Sequence, residues 1–289
     1  MKYAWIERQR GSYSVRLLCN ALKVTEQGYY QWLKAPESRR DNRREVLKLR
    51  VRSEYQRQRQ RYGSPRIHRE LAAQGVQCSE RLVADIMRQE GLRARGARKF
   101  RATTNSAHKL PVAANVVARA FTVEAPNDVW AGDITYLWTR EGWLYLAVFL
   151  DLFSRRVVGW ALAKTLDTRL VSLAFQRAVA RRSPGAGLVV HSDRGVQYAS
   201  REFRDLLAKH KAVQSMSRKG DCWDNAVVES FFHSLKVEAI HGLDFVTRKE
   251  AEFEVFDYIE RFYNKTRRHS YLGFLAPETF EKQKLRAMG

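Results

Sequence analysis

The chain has 289 residues, of which 45% are hydrophobic and 29% charged, so it can form a sizeable core and is not globally disordered. At roughly 150 residues per domain, this length suggests about two domains. The absence of any apolar run of about 18 residues argues against a membrane span, and an N-terminus without a signal-peptide core argues against export. Three widely spaced cysteines offer neither zinc-type spacing nor a disulfide framework, and they fit a reducing cytoplasm.

Basic charge is concentrated in the first third of the chain. The net charge is +21, from 52 Lys and Arg against 31 Asp and Glu. Residues 1–110 contain 26 basic and 10 acidic residues, a net charge of +16, whereas residues 111–240 carry +4 and residues 241–289 carry +1. A basic module beside a nearly balanced globular core favours a polyanion partner, usually nucleic acid. The competing explanation is that the basic charge only aids solubility.

Apolar residues at helical spacing predict helices through this basic segment. Residues 14–33 predict two short helices around a tight turn, with Thr25 as the cap of the second, which makes a helix-turn-helix candidate. Residues 64–90 form a second candidate, in which Ser79 caps the second helix. Between them, residues 38–60 predict a very basic helix. Each hairpin alone is as compatible with structural packing, but two in a basic segment favour DNA binding.

Residues 93–110 form a basic stretch that predicts an extended linker, which would follow the phosphate backbone of DNA or tether two domains. The hydrophobic pattern changes after this stretch. From about residue 126, runs rich in Val, Leu and aromatics predict three consecutive strands, and helices then alternate with strands. This order indicates an α/β layer architecture with a mixed sheet. The predicted elements are strands at 129–138, 143–154, 155–163 and 187–193, a brief strand from Val213, and helices at 167–181, 200–210 and 223–238.

Three carboxylates stand at positions suited to chemistry. Asp133 lies in the middle of an otherwise hydrophobic strand, and Asp193 lies just past the C-terminal end of another, where open α/β sheets place their sites. Glu229 shares one face of the late helix with Asn225 and Lys236. Converging carboxylates suit hard cations such as Mg²⁺, and two such ions roughly 4 Å apart support phosphodiester chemistry. For any single aspartate, a helix cap or an ion pair with arginine is the ordinary alternative.

Seven motifs, in order along nearly the whole chain, resemble one family. They are GYYQWL (28–33), YGSPRIHREL (62–71), VWAGDITYL (129–137), LDLFSRRVVGWAL (150–162), HSDRGVQYAS (191–200), GDCWDNAVVESFFHSLKVE (220–238) and YNKTRRHSYLGFLAPE (263–278). The chain thereby resembles the retroviral-integrase-like DDE transposases of bacterial insertion sequences, especially the second-reading-frame product of the insertion-sequence-three group. Between Asp193 and Glu229 lie 35 residues, the spacing typical of this superfamily, and Lys236 follows where the family has a basic residue.

The resemblance implies an α/β fold: an RNase H-like integrase core, with a mixed five-stranded sheet and flanking helices, preceded by an all-α helix-turn-helix region. It implies Asp133, Asp193 and Glu229 as the metal-binding catalytic triad, with Mg²⁺ or Mn²⁺ as the cofactor and two ions expected. Water would cleave strands at the element ends, and the freed 3′-OH would carry out strand transfer. The implied partners are double-stranded DNA, at the element ends and the target, and further copies of the chain. No membrane partner is expected, and the expected location is the bacterial cytoplasm, at the nucleoid when DNA is bound.

Two features distinguish this chain, one from the wider superfamily and one from the full enzyme of the family that it resembles. Retroviral integrases carry an N-terminal His2Cys2 zinc site, but no CxxC pair occurs here, so we expect no zinc and expect helix-turn-helix modules to serve instead. The family's full enzyme is often a frameshifted fusion with an upstream helix-turn-helix and leucine zipper. Because no sustained heptad repeat occurs here, the upstream-frame product, separate or as a frameshift fusion, is a candidate partner for end recognition or dimerisation.

The predicted domains are a helical DNA-binding region at 1–92, a basic linker at 93–125, the catalytic core at 126–240 and a C-terminal helical extension at 241–289. Basic residues in and around the motifs are expected to contact DNA, with Lys236 near the active site. These DNA-contact candidates are Lys236, Arg218, Lys219, Arg66, Arg69, Arg98, Lys99, Arg101, Arg267 and Arg268.

Other polar residues near the triad are expected to have supporting roles. Asp151 is expected in a turn or an ion pair, and Asp224 as the N-cap of the helix that carries Glu229. For His191 and Asn225, two roles stay open: orienting water or DNA, or making purely structural hydrogen bonds.

Two classes of function compete. The first is an enzyme that cuts and joins DNA, and the second is a non-catalytic, sequence-specific DNA-binding regulator built from the helix-turn-helix candidates. The regulator leaves the acidic triad and the predicted core unexplained, and Mg²⁺-dependent nicking of DNA would discriminate the two. An RNA-hybrid nuclease on the same fold is a third candidate, because fold does not specify substrate. The basic first third and the family motifs favour duplex DNA.

We expect DNA affinity to reside mainly in residues 1–110, because their net charge of +16 can displace many phosphate counterions. A fragment beginning near residue 111 should bind duplex DNA more weakly, and its affinity should depend less steeply on salt. Fluorescence anisotropy over a salt series, on the full chain and the fragment, measures both quantities. Equal affinity and equal salt slope in the two proteins would contradict this assignment.

Overall fold

The computed structural model describes residues 2–34, 39–96, 111–118, 122–218 and 225–288. The chain forms two compact units, Met1–Leu92 and Arg93–Gly289. The first unit is helical, and the second contains a five-stranded sheet flanked by helices. Within the described ranges, no helix is long and apolar enough to cross a membrane.

Three short helices build the first part of the helical unit. They are α1 (Lys2–Gln9), α2 (Val15–Ala21) and α3 (Glu26–Lys34). Ile6, Leu18, Cys19 and Tyr29 form their shared apolar core. The Thr25 hydroxyl accepts a hydrogen bond from the Gly28 N–H at 3.1 Å, which confirms the predicted cap of the second helix.

The second part of this unit is a three-helix arrangement around aliphatic side chains. It comprises α4 (Arg39–Arg57), α5 (Ser64–Ala73) and α6 (Glu80–Gln89). Val51, Ile67, Leu71 and Ile86 are fully buried, as expected from their helical spacing. The Ser79 hydroxyl accepts from the Leu82 N–H at 3.2 Å, so the predicted cap of α6 is also confirmed.

A mixed sheet forms the centre of the second unit. Its strands are β1 (Val129–Thr139), β2 (Gly142–Asp151), β3 (Val157–Ala163), β4 (Val189–Ser192) and β5 (Val213–Met216), in the spatial order β3-β2-β1-β4-β5. The first three strands pair antiparallel, whereas β4 pairs parallel with both β1 and β5. A parallel neighbour requires a crossover, which the helix between β3 and β4 provides.

The strand predicted at 143–154 extends three residues beyond the observed strand. β2 ends at Asp151, and the chain turns before β3, with Arg155 in the left-handed region at φ 58°. Leu152 and Phe153 are buried in this turn, so the apolar run continues although the strand has ended. Burial alone cannot locate a strand end, which explains the error.

Helices cover the sheet around an aromatic core. They are α7 (Thr168–Arg182), α8 (Val196–Ala199) and α9 (Arg201–Lys209). Asp167 caps α7 and Ser200 caps α9 through their side chains. Gly159 of β3 allows α7 to approach closely, since a Cβ at this position would lie 2.4 Å from the Ala174 carbonyl oxygen.

The described part of the predicted linker belongs to the core. Residues 111–118 lie along β5, where the Val116 N–H donates to the Ser215 hydroxyl at 3.0 Å. Val117 is buried, and Ala113 packs against the main apolar core. This part of the predicted linker at 93–125 thus has two side chains in the core, while Val112 and Val116 are exposed.

The C-terminal extension packs on the outer strand β3. After α10 (Ala226–Leu235) and a π-helical segment (Lys236–Ile240), it contains α11 (Arg248–Phe256), a second π-helical segment (Asp257–Tyr263) and α12 (Pro277–Met288). The buried Asn264 amide donates to the Val157 carbonyl at 3.0 Å and accepts from the Val157 N–H at 2.9 Å. One side chain thus replaces a missing strand partner for Val157.

A second link joins the extension to the end of β2 through buried ions. Arg182 contacts both Asp151, at 3.4 Å, and Glu281 of α12, at 2.5 Å. Burial raises the pKa of Asp151 to about 6, although the Asn127 and Phe153 N–H groups and Arg182 all favour its charged form. The expected ion-pair role of Asp151 is confirmed.

We expect Asn264→Ala to lower the free energy of unfolding by about 3 kcal/mol, since each buried backbone group left unsatisfied costs roughly 1–3 kcal/mol. Urea unfolding monitored by circular dichroism measures the change. Gln283→Ala, on the exposed surface of α12, is the matched control and should leave stability unchanged. Equal stability of the two variants would show that Asn264 does not hold β3.

Candidate active site

The register of β1 and β4 brings two aspartates side by side. Gly132 of β1 pairs with Ser192 of β4, and the next residue on each strand is an aspartate, Asp133 and Asp193. Asp133 Oδ1 accepts a hydrogen bond from the Ile134 N–H at 2.7 Å, and Asp193 Oδ1 accepts from the Gly195 N–H at 2.9 Å. Backbone donors therefore orient both carboxylates.

The third carboxylate comes from α10, whose apolar residues determine its orientation. Val228, Phe231, Phe232 and Leu235 are buried, whereas Glu229 lies on the exposed side. The helix prediction over 223–238 holds for Ala226–Leu235, after which the chain continues as a π-helical segment. Asn225 occupies the N-cap position, and Asp224, the predicted cap, lies outside the described residues.

The three carboxylates lie within electrostatic range of one another. Burial raises the pKa of Asp133 well above its usual range, with further raising contributions from the charges of Asp193 and Glu229. Burial and then the Asp193 charge raise the pKa of Glu229. Like charges raise one another's pKa only when they lie close together. The structure thus brings together the three carboxylates that the sequence singled out.

The donor set fits a hard divalent cation. All three side chains offer carboxylate oxygens, the ligand type that Mg²⁺ and Mn²⁺ prefer. Burial raises the pKa of Asp133 most, and the negative charges of Asp193 and Glu229 raise it further. In the described part of the chain, no three Asp, Glu, His or Cys side chains are gathered tightly enough to hold a metal ion. The fit therefore rests on donor chemistry and electrostatic coupling.

Lys236 supplies a positive charge at this site. It is the first residue of the π-helical segment, and its Nζ lies 5.2 Å from the centroid of the Tyr136 ring. Burial lowers the pKa of Lys236, while the Asp133 charge acts in the opposite direction. The aromatic ring and the carboxylate together hold an ammonium beside the acidic cluster.

His191 and Asn225 make hydrogen bonds that support the two strands. The buried His191 ring contacts the hydroxyls of Ser215 at 2.9 Å and Ser217 at 3.3 Å. Asn225 is buried as well, and its amide donates to the carbonyl of Gly132 at 3.3 Å. Asn225 therefore contacts the backbone beside Asp133, and His191 links β4 to the chain in and after β5; these bonds are of the structural kind, one of the two roles left open by the sequence.

The DNA-contact candidates divide by exposure. Arg69 and Arg218 are exposed, and Arg66 is half-buried with its guanidinium 5.4 Å from the centroid of the Tyr62 ring. Arg268 is half-buried and donates to the Phe274 carbonyl at 3.1 Å. Arg98, Lys99, Arg101 and Lys219 lie outside the described residues.

Arg267 is corrected from a DNA contact to an internal ion pair. Its guanidinium is buried and donates twice to Glu238, at 2.8 and 2.7 Å, and once to the Ser234 hydroxyl at 3.0 Å. Tyr258 also donates to Glu238, at 2.9 Å. A buried, bidentate guanidinium is not presented to a phosphate outside the protein. The arginine-rich motif was misleading because sequence does not reveal which basic side chain points inward.

Two tyrosines near the carboxylates were not anticipated from the sequence. Tyr136 lies beneath Lys236, and Tyr198 lies in α8, five residues after Asp193 and almost fully buried. The alternation of β1 could have placed Tyr136 on its strand, but the contact with Lys236 depends on the π-helical segment. The burial of Tyr198 depends on packing between helices and sheet.

Family models cover most of the described core and part of the helical unit. An integrase core domain model matches residues 123–222, a second integrase core domain model matches residues 229–285, and an HTH-like domain model matches residues 41–100. The sheet order and the flanking helices agree with the integrase core expected from the motifs.

Curated relatives match over nearly their full length. Transposase InsF for insertion sequence IS3A, from Escherichia coli (strain K12), is 45% identical over 287 residues, which cover 99% of this chain and 100% of the relative. The insertion element IS600 uncharacterized 31 kDa protein of Shigella sonnei is 41% identical over 266 residues, 92% of this chain and 98% of that one. The catalytic core domain of HTLV-2 integrase, solved in complex with magnesium in a trimeric form, has 18% identity and a TM-score of 0.42, and covers 54% of this chain and 97% of its own. The family assignment does not depend on that weak structural likeness.

The chain therefore belongs to the IS3 family of insertion-sequence transposases. Its function is transposition of an insertion sequence, and it is a polynucleotidyl transferase with an integrase core and an HTH-like domain. DNA is accordingly its partner. The integrase core favours this enzyme over the non-catalytic regulator, which would have no use for such a domain.

Proposed function

We propose that Asp133, Asp193 and Glu229 are the catalytic carboxylates with which this transposase cleaves and joins DNA. The observation that carries the proposal is the electrostatic coupling of Asp133 to both other carboxylates at the end of β4. Neighbouring carboxylates that are partly removed from water repel each other unless a positive group binds between them. A cation-dependent active site has this arrangement.

The three side chains would hold Mg²⁺ or Mn²⁺, and two ions suit the reaction. When bound, such ions activate an attacking oxygen and stabilise the leaving oxygen of a phosphodiester. The chain's own contribution is to orient the ligands: the Ile134 and Gly195 N–H groups fix one oxygen of each aspartate. Desolvation around Asp133 strengthens every charge interaction there.

Lys236 would meet a DNA phosphate next to the carboxylates. Its ammonium is half-buried against Tyr136 and lies near Asp133, so it offers a fixed positive charge at the place where the scissile strand must pass. Lys236 also balances part of the acidic charge before DNA arrives. The lysine therefore serves substrate binding more than cation binding.

The proposed DNA-binding roles follow the distribution of positive charge along the chain. Residues 1–92 would bind the element ends, helped by Arg66 and Arg69, while the core with Arg218 engages the cleaved strand. The enzyme would act as a homo-oligomer on DNA, with the upstream-frame product or a frameshift fusion as a further partner. It would act on end and target duplexes in the cytoplasm, at the nucleoid.

We expect Asp133→Asn, Asp193→Asn and Glu229→Gln each to reduce cleavage and strand transfer roughly a thousandfold or more, because each removes one anionic ligand at nearly constant shape. DNA affinity should change little. Cleavage and joining of labelled element-end DNA, together with anisotropy, measure both effects. Asp205→Asn, an exposed carboxylate on α9, is the matched control and should remain active. Wild-type turnover by any of the three variants removes that residue from the site.

We expect Lys236→Ala to weaken binding of end DNA and to leave Mn²⁺ affinity unchanged or higher, since the lysine repels cations and attracts phosphate. Separate titrations with Mn²⁺ and with end DNA distinguish these effects. Lys209→Ala, at the exposed end of α9, controls for loss of one positive charge. Normal DNA affinity combined with impaired Mn²⁺ binding would refute this role.

A further inference from the structure

Tyr198 has a buried hydroxyl whose placement packing alone does not explain. Its side chain is 1% exposed, and among the described residues the hydroxyl oxygen has no hydrogen-bond partner. The ring sits edge-on to Phe203, with centroids 5.6 Å apart, and edge-on to Phe149 at 6.4 Å. A phenylalanine would fit this aromatic environment without burying an oxygen.

The backbone places Tyr198 in the same turn as Asp193, and its ring lies in the core beneath β1. The Tyr198 N–H donates to the Gly195 carbonyl at 3.0 Å, and the Gly195 N–H donates to Asp193 Oδ1 at 2.9 Å, so Tyr198 belongs to the same turn as Asp193. On the other side, Phe149 lies directly against Gly132, since a Cβ there would be 2.5 Å from its ring. Tyr198 and Gly132, the residue that precedes Asp133, therefore share Phe149 as a neighbour.

The charges that act on the hydroxyl are those of the same two aspartates. Burial raises the pKa of Tyr198 well above its usual range, and the charges of Asp133 and then Asp193 raise it further. The hydroxyl is consequently a proton-bearing donor at neutral pH, and ionised carboxylates are acceptors only. Donor and acceptors thus lie within one small, desolvated region.

We propose that Tyr198 is a positioning residue, whose hydroxyl donates its one hydrogen bond to an oxygen of the Asp133 or Asp193 carboxylate when these hold divalent cations. This inference rests on the proposed function, because it needs these aspartates to be cation ligands. Hydrogen bonds to ligating carboxylates orient them, and their loss typically weakens metal affinity or activity about 10- to 100-fold. A buried hydroxyl without a hydrogen-bond partner destabilises the fold, and a bond made in the working site would remove that cost.

The test is Tyr198→Phe in the full chain, which removes one oxygen and keeps the ring. Mn²⁺ titration followed by electron paramagnetic resonance measures cation affinity without any need for activity. We expect the Kd for Mn²⁺ to rise about tenfold or more. The Mg²⁺ concentration for half-maximal cleavage should rise in parallel, while the urea midpoint of unfolding stays at or above that of the wild type.

Two further variants make the result decisive. Tyr145→Phe removes a hydroxyl from a half-buried tyrosine of β2 beside the same core and should leave Mn²⁺ affinity unchanged. Asp133→Asn should lose Mn²⁺ binding if the proposed function is right. If Asp133→Asn binds Mn²⁺ normally, the proposed triad fails, and the role of Tyr198 fails with it.

A separate result would overturn the role of Tyr198 and leave the catalytic triad intact. If Asp133→Asn loses Mn²⁺ but Tyr198→Phe binds it like the wild type, Tyr198 does not position the carboxylates and the triad stands. A lower unfolding midpoint with unchanged Mn²⁺ affinity would assign the hydroxyl a structural bond and would likewise overturn the positioning role.

Discussion

The core must hold two like charges close together where β1 and β4 end side by side, and the rest of its structure depends on this requirement. Neighbouring carboxylates repel each other, and the charge of Asp193 helps to raise the pKa of Asp133. The sheet register imposes the proximity of Asp133 and Asp193, because the paired residues Gly132 and Ser192 immediately precede them. The hydrogen-bonded ladder and the aromatic core beneath it must therefore resist a repulsion that Lys236 only partly offsets.

The C-terminal extension supports this arrangement from outside the sheet. Asn264 satisfies both backbone groups of Val157, and the Arg267–Glu238 pair anchors the π-helical segment that begins at Lys236. A buried ion pair adds little net stability, because desolvation offsets the attraction, but removal of one partner is costly. Such a pair suits a positional role, and here it holds the end of the helix that carries Glu229.

The distribution of charge separates the part of the chain suited to DNA affinity from the part that contains the acidic site. The helical first third contains most of the positive charge, whereas the core carries little net charge around an acidic centre. Phosphate contacts supply affinity that is largely independent of sequence, and they position a protein on DNA without reading bases. Such a separation suits the proposed acidic site, because carboxylates by themselves repel phosphates.

Local sequence determined the elements, their caps and the catalytic candidates. Periodicity and turn chemistry act over a few residues, so the caps at Thr25 and Ser79 and the strand around Asp133 could be predicted, and family motifs then connected distant carboxylates. Only the tertiary structure decided which polar groups lie inside. Arg267 is buried because Glu238, 29 residues earlier, faces it, and Tyr198 of α8 packs edge-on against Phe149 of β2. These contacts depend on packing between distant segments, and burial of a polar side chain is a property of its partners, which no local pattern encodes.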